Sequence, residues 1–152
     1  MMGKRWLLAL MFFVVVACQP ETPAPPISAR LGGEFTLAPG QSGVIDDVGL
    51  TITLISVPAD QRCPLEVECT ESGPVTVGIS LQKDAAEPVE FSLQAFTDSN
   101  GQTPDGPFEG IQDRVEFEGF EIRVRGILPH PVSFEDPLKL EDYQVLFVVG
   151  EK

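Results

Sequence analysis

Val75-Thr76-Val77-Gly78-Ile79-Ser80-Leu81-Gln82 alternates apolar with small or polar residues without a break. A period of two places Val75, Val77, Ile79 and Leu81 on one face of an extended chain, the pattern of a β-strand with one side buried. The same pattern recurs on both sides of this stretch. Leu50, Ile52 and Leu54 alternate with Thr51 and Thr53, and Val89, Phe91 and Leu93 with Glu90, Ser92 and Gln94. Phe120, Ile122 and Val124 alternate with Glu121, Arg123 and Arg125, and Tyr143, Val145, Phe147 and Val149 form the last such run. Shorter candidates lie at Glu34 to Leu37, Gly43 to Ile45 and Arg114 to Glu118. Turn chemistry separates them, in Ala38-Pro39-Gly40, Asp46-Asp47-Val48-Gly49, Asn100-Gly101 and Glu118-Gly119. No window carries the spacing of an amphipathic helix. Seven or eight strands with one apolar face each need a second sheet to cover the first. The predicted fold is therefore all-β, an antiparallel β-sandwich of the immunoglobulin-like kind without a long helix, with a small barrel as the alternative. Val145 to Val149 is apolar on both faces, which predicts a central strand, and Phe108 and Phe134, in Pro-rich loops, are expected to cover the edges of the core.

The chain has 152 residues, 43% of them hydrophobic, with 23 Asp plus Glu against 10 Lys plus Arg and a formal charge of −13. A disordered acidic tail would lack that apolar fraction, and a protein bringing this excess of negative charge to a polyanion would be repelled. One folded domain is expected, without a nucleic-acid partner and without a cofactor. Fourteen Pro and fourteen Gly against three Cys indicate many turns rather than a dense disulfide scaffold.

The amino-terminal region divides into three zones. Lys4 and Arg5 are followed by an unbroken apolar run from Leu7 to Ala17 and then by Cys18. Eleven residues at 1.5 Å each span about 16 Å, roughly half the hydrocarbon core of a bilayer, which fits the core of an export signal and not a membrane-spanning helix. Val15-Val16-Ala17-Cys18 resembles the lipobox of bacterial lipoproteins, which implies cleavage before Cys18 and acylation of that residue. Membrane attachment would then run through lipid on Cys18, because two or three acyl chains anchor firmly where a single chain does not. In that class the residue after the cysteine bears on sorting, and Gln19 in place of Asp favours the outer membrane of a two-membrane envelope. Residues 1–17 are thus read as a lipoprotein signal peptide, 18–30 as the lipidated cysteine with a Pro-rich tether, and 31–152 as the sandwich. Without residues 1–17, 8 basic residues face 23 acidic ones, a formal charge of −15.

Cys63 and Cys69 are left after Cys18 is assigned to lipid. In an exported protein such a pair closes a disulfide, and a loop this short stabilises by about 2 kcal/mol in the chain-entropy picture. A redox pair would normally have two residues between the cysteines, and zinc needs four ligands where the chain has one His; both remain as alternatives with less support. The surrounding residues resemble a group of small, poorly characterised bacterial lipoproteins and secreted proteins. The matching positions are Phe35, Leu37, Gly40 and Gln41; then Asp60, Arg62, Cys63, Pro64, Val67, Cys69 and Gly73; then Pro129, Pro131 and Tyr143. Two positions depart from that pattern: Gln61 stands for Ser and Glu71 for Trp, so the chain beyond Cys18 contains no tryptophan. The resemblance implies topology and a disulfide rather than an activity.

Asp60, Arg62, Glu66, Glu68 and Glu71 make up the candidate interaction loop. Its carboxylates lack the spacing of a calcium shell, so a solvated acidic loop with Arg62 paired to a neighbouring carboxylate is the expectation, and no metal site is assigned. Asp98-Ser99-Asn100-Gly101 opens like an EF-hand loop but lacks its later ligands, and reads as a turn. His130, between Pro129 and Pro131, sits in an extended loop, and no Gly-x-Ser-x-Gly elbow is present. Tyr143 is expected to be a corner tyrosine whose hydroxyl bonds a loop backbone. No catalytic residue is assigned. The functional expectation is a lipid-anchored, extracytoplasmic, non-enzymatic binding module of the bacterial cell envelope, with a protein or cationic partner. A metal-dependent or carboxylate-based hydrolase acting on envelope polymers is the alternative, and a purely structural envelope component a third reading.

Overall fold

The computed structural model describes residues 24–152. The expected signal peptide, Cys18, Gln19 and the first part of the tether lie outside the described residues. Nine strands follow in order: β1 Ile27–Ser28, β2 Glu34–Leu37, β3 Ser42–Ile45, β4 Leu50–Asp60, β5 Val75–Lys83, β6 Val89–Ala95, β7 Arg114–Phe117, β8 Phe120–Leu128 and β9 Gln144–Glu151. Two single-turn 3-10 segments, Asp46–Val48 and Leu140–Asp142, are the helical elements among the described residues. Strands β1-β3-β4-β5-β6 form one sheet and β2-β9-β8-β7 the other. All pairings are antiparallel except that of β1 with β3. The sandwich expected from the alternation is the fold.

The period of two becomes the inner face of each sheet. Val75, Val77, Ile79 and Leu81 are fully buried along β5, Ile52 and Leu54 of β4 and Leu93 of β6 continue that face on either side, and Ile122, Val124 and Ile127 of β8 are buried in the other sheet. Strand β9 is internal, between β2 and β8, as its two-sided apolar run predicts. Its Val145, Phe147 and Val149 point into the core while Leu146 and Val148 are half-buried on the outer face. Phe147 lies opposite Phe35 of β2, with ring centroids 6.1 Å apart. Gly43 makes room for that pair, since a Cβ there would stand 2.8 Å from the Phe35 ring.

The predicted turns close where turn chemistry placed them. Glu118 and Gly119, with φ of 50° and 84°, form a two-residue hairpin between Phe117 and Phe120, and two positive φ values match the right-handed twist of the strands they join. At Asn100-Gly101 the Asp98 carboxylate accepts from the backbone N–H of Asn100 and Gln102, an ordinary turn and not the start of a calcium loop.

Three details differ from the expectations. The tether is shorter at its far end, because Ile27 and Ser28 already pair with Gly43 and Val44 and Ala29 N–H donates to Val44 O at 2.8 Å. A run of prolines ends at Pro26, and the first residues after it with free N–H groups join the sheet edge. Phe108 packs edge-on against Phe96 at 5.5 Å, neither of them among the side chains that pack on the core, and Phe134 is 68% exposed, so the expected covers of the core edges are not formed by these rings. Strand β4 runs on past Leu54, the last residue of its apolar alternation, to Asp60, through two register shifts between Leu54 and Ala59. Pro58 falls within the second irregularity, where a residue without N–H costs the ladder nothing.

Phe147→Ala is expected to lower the unfolding free energy by about 3–5 kcal/mol, read from urea denaturation, because a fully buried ring at the centre of two sheets leaves a cavity that β-strands cannot collapse to fill.

Candidate functional site

The long strands β4 and β5 give the sandwich two distinct ends. At one, Leu50 faces Lys83; at the other, Asp60 faces Val75. Nearly all the residues singled out around the cysteines converge on the Asp60 end. Gln61 N–H donates to Pro74 O at 3.2 Å and Gly73 N–H to Gln61 O at 2.8 Å, so the excursion from residue 61 to 73 leaves and returns at one point. Gly73 is required there, since a Cβ would lie 2.6 Å from Gln61 Cβ. Cys63 and Cys69 are joined, with sulfurs 2.08 Å apart, and Cys63 N–H donates to Ser72 Oγ at 3.1 Å.

Arg62 fixes this end. Its Nε donates to both Asp60 oxygens, at 2.9 and 3.1 Å, its Nη1 to Ile127 O at 3.0 Å and its Nη2 to Pro129 O at 2.9 Å. One guanidinium therefore ties the end of β4 in the first sheet to the end of β8 in the second. Asp60 also accepts from Arg62 N–H at 3.1 Å and from the Tyr143 hydroxyl at 3.1 Å, which brings in the start of β9. The sequence expectation of a solvated loop is corrected for these residues: Arg62 is 3% exposed, and Asp60 and Tyr143 lie against it. The corner-tyrosine reading is corrected in its partner, which is the Asp60 carboxylate and not a loop backbone. A buried guanidinium needs acceptors for its five N–H donors, and the carboxylate and two carbonyls meet four of them. Arg62 is thus paired with a neighbouring carboxylate, as expected, but as a floor rather than a contact residue.

The 129–134 segment seals the cysteine loop from the other side. Leu65 and Glu66 N–H donate to Pro131 O and Val132 O, both at 3.0 Å, and His130 Nε2 donates to Cys63 O at 2.9 Å. His130 binds two loops together. Glu66, Glu68 and Glu71 remain exposed on the outer surface, beside exposed Leu65 and Val67.

Between β4 and the segment 131–143 lies a groove of about 320 Å³. Val57, Pro58, Pro64, Pro131, Phe134 and Leu140 form its walls, and Asp60, Arg62 and Tyr143 its floor. Sequence reasoning missed the part contributed by residues 131–142, although Pro131, Phe134, Pro137 and Leu140 place apolar side chains in a stretch without strand alternation. The one exposed cation in this segment is Lys139, among exposed Glu135, Asp136, Glu141 and Asp142.

The electrostatics of the floor favour holding over reacting. Burial acts to raise the Asp60 carboxyl, but the hydrogen bonds and charge of Arg62 outweigh it and leave the group below its ordinary 3.8. Burial, with the negative charge of Asp60 beside it, pushes Tyr143 up to about 12. An ionised, fully bonded carboxylate and a neutral phenol donating to it are poor proton carriers near neutrality. Among the described residues no group of three or more His, Cys, Asp or Glu side chains is placed to hold a metal ion. A second ionic cluster lies on the outer face of the second sheet, where Asp113 bonds Arg114 and Arg123 at 2.9 Å each and Asp105 bonds Arg125 at 2.9 Å. The alternation of Arg123 and Arg125 forecast their outward direction, but not the acids that neutralise them. Compared with known proteins, the chain matches no family model, no curated protein and no solved structure.

Arg62→Met is expected to cost about 3–5 kcal/mol in urea denaturation, because it strands the Asp60 charge, and the double variant Asp60→Asn/Arg62→Met is expected to lose less than Arg62→Met alone. The pH dependence has two limbs. Asp60, held below 3.8, contributes stability that is present above that value and lost as the pH falls through its lowered pKa; Tyr143, raised above 10, contributes stability lost as the pH climbs from 10 towards 12. Denaturation midpoints should therefore fall at both extremes, with Tyr143→Phe weakening the alkaline limb and Asp60→Asn weakening the acid limb to what Asp113, lowered by Arg114 and Arg123 against its burial, and Asp105, lowered by Arg125 and Arg123, still contribute.

Proposed function

We propose that this protein is a lipid-anchored, extracytoplasmic binding module of a bacterial cell envelope, held by acyl chains on Cys18 and acting without catalysis. The groove at the Asp60 end is the contact surface and its partner is a cationic, partly apolar segment of another protein. The observation that carries this reading is the groove itself: apolar walls, with Phe134 68% exposed, around a floor immobilised by Arg62. Large apolar side chains left in water on a rigid frame are a feature of interaction sites more than of bare surfaces. Leu65, Val67 and Val132 extend the apolar area beyond the groove. The acids around it attract positive charge, raise encounter rates and repel anionic lipid and nucleic acid.

The resemblance to small bacterial lipoproteins supports the same reading. Asp60, Arg62, Cys63, Pro64, Cys69, Gly73, Pro129, Pro131 and Tyr143, which carry it, build this one end. Glu71 is exposed in the cysteine loop where that group has Trp, so this chain would offer a charge in place of an aromatic face. Its partner would then be chosen by charge more than by stacking.

In native envelopes, crosslinking is expected to join the wild-type protein to a partner whose capture weakens as salt rises. The variant Phe134→Ser/Glu66→Lys/Glu68→Lys, with an unchanged melting temperature, should lose that partner; equal capture by the variant would remove the groove from the proposal. Cys18→Ala should move the protein from the membrane to the soluble fraction.

A further inference from the structure

We propose that the groove takes an extended, Lys- or Arg-bearing segment of a partner protein, which adds as a further strand to the open side of β4 between Val57 and Asp60. The inference rests on the reading of the groove as a contact surface and deepens it by giving the partner a conformation.

Strand β4 outruns its neighbour on one side. β3 covers it from Leu50 to Thr53, and Gly40 N–H and Gln41 O add bonds to Leu54 O and N–H at 2.7 and 3.1 Å. From Ile55 to Asp60 its pairing among the described residues is with β5 alone. The direction of each backbone group in that stretch follows from β5. Gln94 N–H turns away from β5 to donate to Gln112 O, so its partner Thr76 turns the other way, towards β4, and Gly78, two residues on, does the same. Thr76 meets Ala59, and Gly78 meets Ser56. Ser56 and Ala59 therefore direct their N–H and C=O groups at β5. Val57 and Asp60, each next in the chain, direct theirs to the open side, and both line the groove. No backbone group of residues 131–143 bonds to them. Pro58, between them, has no N–H to leave unpaired.

An open strand edge is a template for another chain, and bulges and proline are the devices that keep such an edge from pairing indiscriminately. Here they restrict pairing to two positions inside a groove. A chain that reaches both must lie extended, so that alternate side chains meet the apolar walls at Phe134 and Leu140 while the others face outward. The loops that flank the groove expose Glu66, Glu68, Glu135, Asp136, Glu141 and Asp142 against one cation, Lys139. Charge complementarity then selects Lys or Arg at the outward positions.

The probe is the peptide acetyl-Lys-Val-Lys-Val-Lys-Val-amide, and its control, acetyl-Lys-Pro-Lys-Pro-Lys-Pro-amide, carries the same charge but cannot hold a strand. With the protein in an uncharged detergent, amide hydrogen exchange is followed residue by residue by NMR. The valine peptide is expected to bind and to slow exchange at Val57 and Asp60 by about tenfold or more, with Ser56 and Ala59 unchanged. The proline peptide should bind about tenfold more weakly or worse, and Phe134→Ser/Glu66→Lys/Glu68→Lys should weaken the valine peptide. Equal binding of the two peptides, or binding without slower exchange at Val57 and Asp60, overturns the added strand; where the triple variant still weakens that binding, the groove stands as a contact surface. Binding that the triple variant leaves unchanged removes the groove and the strand with it. No binding of the valine peptide overturns the strand proposal, while the groove reading is judged by crosslinking in native envelopes. Slow exchange at Val57 and Asp60 before any peptide is added means that a second copy or the chain's own amino-terminal residues hold the edge, and this too overturns the proposal.

Discussion

Arg62 is a guanidinium with no exposed side-chain surface, and the groove end of this protein is arranged around satisfying it. Its donors reach one carboxylate and two carbonyls drawn from both sheets. Once it is buried, none of those partners can move independently, because any shift leaves a charged donor or a charged acceptor without a partner in a poorly solvated place. The cost of that arrangement in stability is high, and an apolar cluster could have closed the end more cheaply. What the ion pair adds is position: Asp60 orients Tyr143, Arg62 sets the carbonyls of Ile127 and Pro129, and the cysteine loop and residues 131–134 inherit their placement from both.

The groove follows from that rigidity. Its walls include Pro58, Pro64, Pro131 and Pro137, whose fixed φ leaves little to order when something binds. A shape held before contact loses less entropy on contact. The disulfide serves the same end on a smaller scale by limiting the cysteine loop, while His130 and the Leu65 and Glu66 amides hold it against its neighbour. The ionic cluster of Asp113 with Arg114 and Arg123 works differently: it lies over the outer face of the second sheet, ties the β6–β7 crossing to β8, and takes the arginines out of the charge presented to solvent.

Most of the strands could be read directly from alternation, because a period of two has one structural meaning when several such runs occur together. Elements were missed where that signal is absent. Ile27–Ser28 is too short to alternate and is held by the β3 edge rather than by its own pattern. The extension of β4 from Val57 to Asp60 passes through Pro58, which ordinarily ends a strand, and survives because irregular pairing absorbs it. Glu66, Glu68 and Glu71 were legible as exposed acids, and the cysteine pair as a bridge. The burial of Arg62 was not, since nothing adjacent to it in the chain announces that carbonyls 65 and 67 residues away will meet it.

The sequence alone determined the fold class, the strands that form the core and the central place of the last one, since burying alternate apolar residues leaves few arrangements. It also determined the turns at Gly40, Gly49, Gly101 and Gly119, where glycine takes positive φ without a Cβ clash. Only the tertiary structure decided that Asp60 and Arg62 are a floor and not a contact, that Phe134 faces water, and that residues 131–142 complete a groove with the end of β4. Those outcomes depend on which loops two packed sheets bring to the same end, a relation between distant residues that no local spacing encodes.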